Sequence, residues 1–333
     1  MKAMVLTKQG EVSTNPLQPR EVPPPVPASG QVLVRIRVCG VCRTDIHVVE
    51  GELPDVKRPL IPGHQAVGIV SEKGAEVDGV TVGDRVGIAW LQGTCGRCEF
   101  CRSGRENLCD QARFTGYQVD GGYAEYAIVP AKFAYPIPSV FSDEEAAPLL
   151  CAGIIGYRAL RMSGIKPGQR LGLYGFGASA HIAIQIARHW GCDVYVSSLK
   201  PDHQQLAREL GARWVGGVND RPPEPLHGSI IFAPAGELVP IALRALERGG
   251  TLALAGIHMS PIPSLDYDRE VFGERVIRSV TANTRQDGLD LLREAAAIPI
   301  KPRTVSFRLD EANRALQDLK AGRYSGAGVL TVS

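Results

Sequence analysis

Between residues 31 and 147 the hydrophobic positions come in short runs broken by turns. Gln31-Val-Leu-Val-Arg-Ile-Arg-Val38 alternates apolar and polar side chains, the period-2 signature of a half-buried strand. Gly63 to Ser71, Gly83 to Trp90 and Gly122 to Val129 are further β-rich runs bounded by Gly, Pro or Asp. Ser142-Asp143-Glu144-Glu145 then opens a helix, with a hydroxyl cap, acids in the first turn and Glu145 at capping-box spacing. From about Arg170 the rhythm becomes strand then helix. Arg170–Tyr174 reads as a strand, and Ala178–His189 as a helix with Ile182, Ala183 and Ile186 on one face. Asp193–Ser197 is a second strand and Gln204–Leu210 a second helix, and strands Ser229–Phe232 and Thr251–Leu254 flank a helix over Glu237–Glu247. That alternation predicts a parallel, doubly wound sheet. Two amphipathic helices near Asp287–Ala297 and Asp310–Leu319 precede a last strand at Gly328–Val332. The expected organisation is a β-rich domain over 1–148 and 282–333 with a dinucleotide-binding domain, 149–281, inserted between its parts.

The length of 333 residues, about twice a usual domain, agrees with two domains. Apolar residues at 44% and charged residues at 22% exclude a disordered chain. The net charge is +2 and no run of five Lys/Arg occurs, which argues against nucleic acid or a membrane as partner. No apolar stretch approaches the eighteen or so residues of a bilayer span. The start, Met1 to Lys8, lacks a signal-peptide core, so the expected location is cytoplasmic.

Leu171-Gly-Leu-Tyr-Gly175-Phe-Gly177-Ala-Ser-Ala180 lies where a strand gives way to a helix and fits G-x-G-x-x-[GA]. Gly175 suits the tight turn, Gly177 lets backbone approach a pyrophosphate, and Ala180 permits close helix–strand packing. The helix N-terminus behind the loop favours phosphate. The next strand ends at Ser197-Ser198-Leu199-Lys200 with no acid at its tip. An NAD site wants a carboxylate there for the ribose, so Ser198 and Lys200 point to NADP rather than NAD.

Eight cysteines in a chain expected to stay in a reducing compartment argue against disulfides. Cys95, Cys98, Cys101 and Cys109 fall within fifteen residues, a spacing that suits tetrahedral Zn²⁺ in a closed structural site. An iron–sulfur cluster is the competing metal. Cys42, His64 and Cys151 remain as dispersed candidates, and a Cys₂His set with an open position is a catalytic zinc pattern.

Gly40-Val-Cys42-Arg-Thr44-Asp45-Ile-His47, Gly63-His64, the four-cysteine lobe, Cys151-Ala-Gly153 and the glycine loop occur in the order of one family. Over essentially its whole length the chain resembles a zinc-dependent alcohol dehydrogenase of the medium-chain dehydrogenase/reductase family. The resemblance implies a GroES-like β-rich catalytic domain beside a Rossmann domain and two zinc ions per chain. Cys42, His64 and Cys151 would hold the catalytic ion and the four lobe cysteines the structural one. It implies that Asp45 orients the ligand histidine, Thr44 bonds the alcohol oxygen, His47 ends a proton relay and Arg43 binds pyrophosphate. It also implies hydride exchange between alcohols and aldehydes or ketones with NAD(P), in a homodimer or homotetramer.

Three departures stand out. Gln65 follows His64 where the family usually has Glu, leaving the site one negative charge short. The stretch Gly326-Ala327-Gly328-Val329 lacks an arginine that much of the family uses on pyrophosphate, so Arg43 and the glycine loop carry more of that contact. Ile155 replaces a small hydroxyl residue. Trp90, Val49 and Ile155 are expected to line an apolar pocket for small-to-medium alcohols and aldehydes, aromatic ones included. The alternatives are a zinc-free quinone or enone reductase and a zinc-stabilised binding protein. The first lacks the cysteines present here, and the second needs a basic–aromatic interleaving that Cys95–Cys109 does not have.

Overall fold

The structure, a computed structural model, describes residues 1–54, 56–298 and 300–332. Gln31–Val41 is a single strand of eleven residues, longer than its alternation predicts. The alternation holds only in the middle, where Arg35 and Arg37 face outward between buried Val34, Ile36 and Val38. Cys39, Gly40 and Val41 are all buried, so no polar position marks the continuation. One edge of this strand pairs with Ala66–Lys73; the other is shared, residues 31–35 taking Tyr126–Pro130 and residues 38–41 taking Ala327–Thr331. The seven-stranded sheet continues through Arg85–Ile88 and Ala134–Pro136 on one side and Thr304–Arg308 on the other.

The chain divides into two units, Met1–Cys151 with Asn283–Ala296 and Lys301–Ser333, and Ala152–Ala282 with Ala297–Ile300. In the first unit the helix Asp143–Pro148 carries the capping box its sequence announces. Glu145 N–H donates to Ser142 Oγ at 3.2 Å, and Ser142 N–H to Glu145 Oε2 at 2.9 Å. The cysteine lobe is a small appendage with a short ribbon, Leu91–Gly93 with Arg113–Phe114, and one helical turn, Glu99–Arg102. Having almost no apolar interior, it is tied down by charge. Glu106, only 6% exposed, accepts from Arg285 Nη2 at 2.7 Å, Nε at 2.9 and 3.0 Å, and backbone N–H at 2.8 Å.

The second unit holds a six-stranded, all-parallel sheet. Its order is Trp214–Gly216, Asp193–Ser197, Arg170–Tyr174, Leu226–Ile231, Leu246–Leu254 and Val276–Ser279. Ile182, Ala183 and Ile186 of the helix Ala178–His189 are fully buried, as their spacing predicts. The second helix starts earlier than expected, at Pro201, which suits a first helical position because its missing N–H has no partner to lose there. The strand order reverses beside Arg170–Tyr174, placing the glycine loop at a topological switch point, where such sheets bind ligands. The α/β class with a doubly wound sheet is therefore the observed one. Among the described residues no helix is long and apolar enough to cross a membrane.

Burial works against the Glu106 carboxylate, and the hydrogen bonds and charge of Arg285 more than reverse that, holding it below the usual carboxylate range. A lowered folded value gives stability that is full above the ordinary carboxylate pKa of about 4.3 and is lost as pH falls through the folded value. Glu106→Gln is expected to cost about 2 kcal/mol near neutral pH, with that gap closing toward about pH 3, as read from unfolding midpoints. A constant gap across that range contradicts the clamp.

Candidate active site

The end of the long strand places the first candidate ligand. Cys42 is the N-cap of the helix Arg43–Glu50, in extended geometry with φ −125° and ψ 155°. Asp45, three residues on, turns back so that Oδ2 accepts the Cys42 N–H at 2.8 Å. The same oxygen accepts the Tyr123 hydroxyl at 3.0 Å, while Oδ1 lies 3.0 Å from His64 Nδ1. With Asp45 and His64 both fully buried, the carboxylate fixes the histidine proton on Nδ1 and leaves the Nε2 lone pair free to coordinate.

His64 can sit there because Gly63 has φ +93° and no side chain. A Cβ on Gly63 would stand 2.3 Å from the Tyr123 ring and 2.9 Å from the Cys39 sulfur. Trp90 closes another side of the imidazole, edge-on with centroids 4.9 Å apart, and stacks in turn on Phe114 and Tyr117. Cys151 comes from a widened π-helical turn, Leu149–Gly153, directly after Pro148. Proline has no N–H for the helical ladder, and π turns are a recurrent way of re-aiming a side chain.

Cys42, His64 and Cys151 thus converge, their ligand atoms all within 4.8 Å of one another. The two sulfurs are 3.9 Å apart and His64 Nε2 is 3.3 Å from the Cys151 sulfur. Tetrahedral zinc, with bonds of about 2.3 Å to sulfur, sets sulfurs about 3.8 Å apart, so the donor set fits that ion. The cysteines of the lobe form the second group within the same limit, with Cys95 and Cys101 sulfurs 3.9 Å apart and Cys98 and Cys101 3.5 Å apart. Four thiols leave no open position, three donors leave one.

Charge in the three-residue cluster is arranged for a cation. A hydrogen bond from the Cys151 thiol, together with His64, holds Cys42 well below the thiol range, while Cys151, as donor and buried, is pushed well above it. Burial alone would lower His64, but the Asp45 carboxylate and Cys42 carry it up to about 10. A metal ion replaces the protons these groups share.

The other candidates are placed as follows. Thr44 and His47 are buried on the same short helix, and Arg43 is exposed at its first turn. His47 Nδ1 pairs with Glu52, a partner that nothing in the sequence singled out. Gly175 takes φ +84°, as a tight turn requires, and a Cβ there would press on Ala233 at 3.0 Å. Gly177 caps the helix Ala178–His189, and a Cβ there would meet nothing, while Ala180 is fully buried. Ser198 is buried, and Lys200 is exposed at the cap of the helix Pro201–Glu209. Gln65 is buried against Gly40, where a Cβ would come within 3.0 Å of its side chain. Within the arginine-free stretch Gly326–Val329, a Cβ on Gly328 would stand 2.5 Å from the Tyr324 hydroxyl. Val49 is fully buried and Ile155 half-buried.

Known proteins carry the same architecture. Residues 28–139 match the alcohol dehydrogenase GroES-like domain and residues 180–297 the zinc-binding dehydrogenase domain. A probable alcohol dehydrogenase, AdhA, of Mycobacterium tuberculosis (strain CDC 1551 / Oshkosh) is 50% identical over 337 residues, covering 100% of this chain and 97% of that protein. An alcohol dehydrogenase of Geobacillus stearothermophilus is 38% identical over 349 residues, covering both chains fully at 100%. Among solved structures, a cobalt- and zinc-bound thermostable alcohol dehydrogenase from Pyrobaculum aerophilum superposes with TM-score 0.90 at 27% identity, covering 99% of each chain. A cinnamyl alcohol dehydrogenase from Sorghum bicolor gives TM-score 0.90 at 26% identity, covering 99% of this chain and 97% of that one.

The fold and the zinc-type donor set define a metal-dependent nicotinamide oxidoreductase. The chain belongs to the zinc-binding alcohol dehydrogenase family and, as an enzyme of it, interconverts alcohols and aldehydes with zinc and a nicotinamide cofactor.

Asp45→Asn keeps the shape of the carboxylate but removes its charge and one acceptor. The dissociation constant for zinc at the Cys42–His64–Cys151 site is expected to rise roughly 10- to 100-fold, measured by competition with a chromogenic chelator. Wild-type affinity in that variant contradicts the orienting role of Asp45.

Proposed function

We propose that Cys42, His64 and Cys151 hold a catalytic zinc ion and that Cys95, Cys98, Cys101 and Cys109 hold a structural one, two ions per chain. The convergence of the first three donors around an Asp45-oriented imidazole carries this reading. Bound there, zinc supplies Lewis acidity to the alcohol or carbonyl oxygen, and the nicotinamide supplies the hydride exchange. The Thr44 hydroxyl would take the alcohol proton as it gives up its own toward the cofactor ribose, and His47 would end that relay by releasing a proton to solvent, with Glu52 holding the imidazole from its Nδ1 side. Arg43 and the loop Gly175–Ala180 bind the pyrophosphate, the latter through the N-terminus of the helix Ala178–His189. Trp90, packed against His64, gives the substrate side an apolar, aromatic wall suited to small and medium primary alcohols, aromatic ones included.

NADP is the proposed cofactor. Lys200 is exposed next to a buried Ser198, with no carboxylate at the strand tip to repel a 2′-phosphate. All eight cysteines are free, which suits a reducing compartment, and the cytoplasm is the proposed location. The edge strand Val276–Ser279 is exposed along its length, with Val276 47% and Ile277 38% accessible. Such an edge offers unpaired backbone groups to a second copy, so we take the enzyme to assemble as a homodimer, or a homotetramer built from it.

Parallel titrations of the zinc-loaded enzyme with NADPH and NADH, followed by nicotinamide fluorescence and then benzaldehyde, test the catalytic reading. Tighter NADPH binding with turnover is expected, and Lys200→Ala is expected to weaken NADPH roughly three- to tenfold while leaving NADH unchanged. NADH preference with turnover discards the cofactor argument alone, and no binding of either removes the whole proposal. For the assembly, Ile277→Lys is expected to shift the sedimenting species to the mass of one chain; an unchanged mass rejects this edge as the interface.

A further inference from the structure

The second unit contains one connection that breaks the pattern of the rest. Trp214–Gly216 is the edge strand, and the chain must pass two strands to reach Leu226–Ile231. Parallel strands are usually joined by a crossover of a dozen or more residues containing a helix. Here residues 217–225 make the crossing in nine residues with no helix. Right-handed connections put this crossing and the helix Leu238–Ala245 on one face of the sheet, opposite Ala178–His189 and Pro201–Glu209. Tyr174 packs on that face with Leu238, Val239 and Ala242.

Where a crossover helix would lie there is a cavity of about 610 Å³, within the range of small-molecule sites. Arg221, Arg244, Arg269 and Arg275 line it, with Asp220 as the acid among the lining residues. Asp220 is already engaged, accepting the Gly217 N–H at 2.7 Å. Arg244 pairs with Glu270, and Arg275 donates to the carbonyls of Leu246 and Phe272. Arg221 and Arg269 have no ion pair among the described residues. Tyr174, 2% exposed, is one of the residues lining this cavity, and its buried hydroxyl has no hydrogen-bond partner among the described residues. Burial pushes the Tyr174 phenol up, so it stays a donor. A buried donor left unpaired costs on the order of 1–3 kcal/mol, which calls for an acceptor in the cavity.

We propose that this cavity is a binding site for a phosphorylated small molecule, separate from the dinucleotide site, with Arg221, Arg269 and the Tyr174 hydroxyl contacting the phosphate oxygens. Guanidinium forks match phosphate geometry, and a planar donor set of this kind is poorly suited to cations. Ile241 and Ala245 give the organic part an apolar wall. The separation from the dinucleotide loop follows from the topology. The loop Gly175–Ala180 leads into a helix on the opposite face, whereas this cavity extends to Arg275, which is bonded to Leu246 at the amino end of its strand.

The test is calorimetric titration of the zinc-loaded full chain, already saturated with reduced cofactor, using a hexose bisphosphate as probe. One probe per chain is expected, with affinity falling as salt rises. Arg221→Ala combined with Arg269→Ala is expected to weaken binding roughly tenfold or more while alcohol turnover without the probe stays at the wild-type rate. Tyr174→Phe, which removes one oxygen from an otherwise intact core, is expected to weaken it several-fold. No binding to the saturated enzyme, or an affinity unaffected by the double arginine substitution, overturns the proposal. Binding seen only before cofactor is added also overturns it, because the probe then occupies the dinucleotide site.

Discussion

The catalytic unit depends on one buried carboxylate. Asp45 accepts from the Cys42 backbone and the Tyr123 hydroxyl and holds the Nδ1 side of His64. These bonds join the end of the long strand, the start of the next helix, the loop before Ala66–Lys73 and the turn before Tyr126–Pro130. Burying a carboxylate is costly unless its lone pairs are used, and here each oxygen is engaged. The same bonds that satisfy the charge bring Cys42 and His64, two of the three candidate metal donors, to one point. Local folding and metal-site geometry are therefore one constraint, and a change that frees Asp45 disturbs both.

The features legible in the sequence are those whose partners are close along the chain. Arg170–Tyr174, Ala178–His189 and Asp193–Ser197 fall where their patterns place them, because a βαβ unit is specified by consecutive residues. The lobe cysteines converge for the same reason. Cys42, His64 and Cys151 are far apart in sequence, and their short flanking segments, not periodicity, were the signal. Glu52 behind His47, Tyr123 behind Asp45 and Arg285 behind Glu106 have no signature in the sequence, the last spanning 179 positions. Single polar residues carry no periodic signature. Short strands such as Trp214–Gly216 and Val276–Ser279 carry no readable pattern, because three or four residues are too few to establish a period.

The two cysteine groups show how burial and ligand count divide labour between similar donors. The lobe brings four thiols together beside the Glu106–Arg285 clamp, so with the structural ion proposed there its role would be to hold a surface segment in shape. Cys42, His64 and Cys151 sit inside a folded framework that their own bonds help complete. On the proposed reading, a fourth position left open there would add chemistry without loosening the fold.

Gln65 bears on that balance. It is buried next in sequence to His64 and packs on Gly40, near the end of the long strand that leads to Cys42. Two thiolates neutralise a divalent cation, and a neutral amide adds no further charge. A carboxylate at this position would be buried in low dielectric directly after His64, where burial alone raises its proton affinity. With Gln65 the cluster keeps Asp45 as its carboxylate, one oxygen hydrogen-bonded to the imidazole and the other accepting from Cys42 and Tyr123. On the proposed reading, in which Cys42, His64 and Cys151 hold zinc, Gln65 would leave the ion's positive charge less offset, the direction that strengthens its pull on a substrate oxygen.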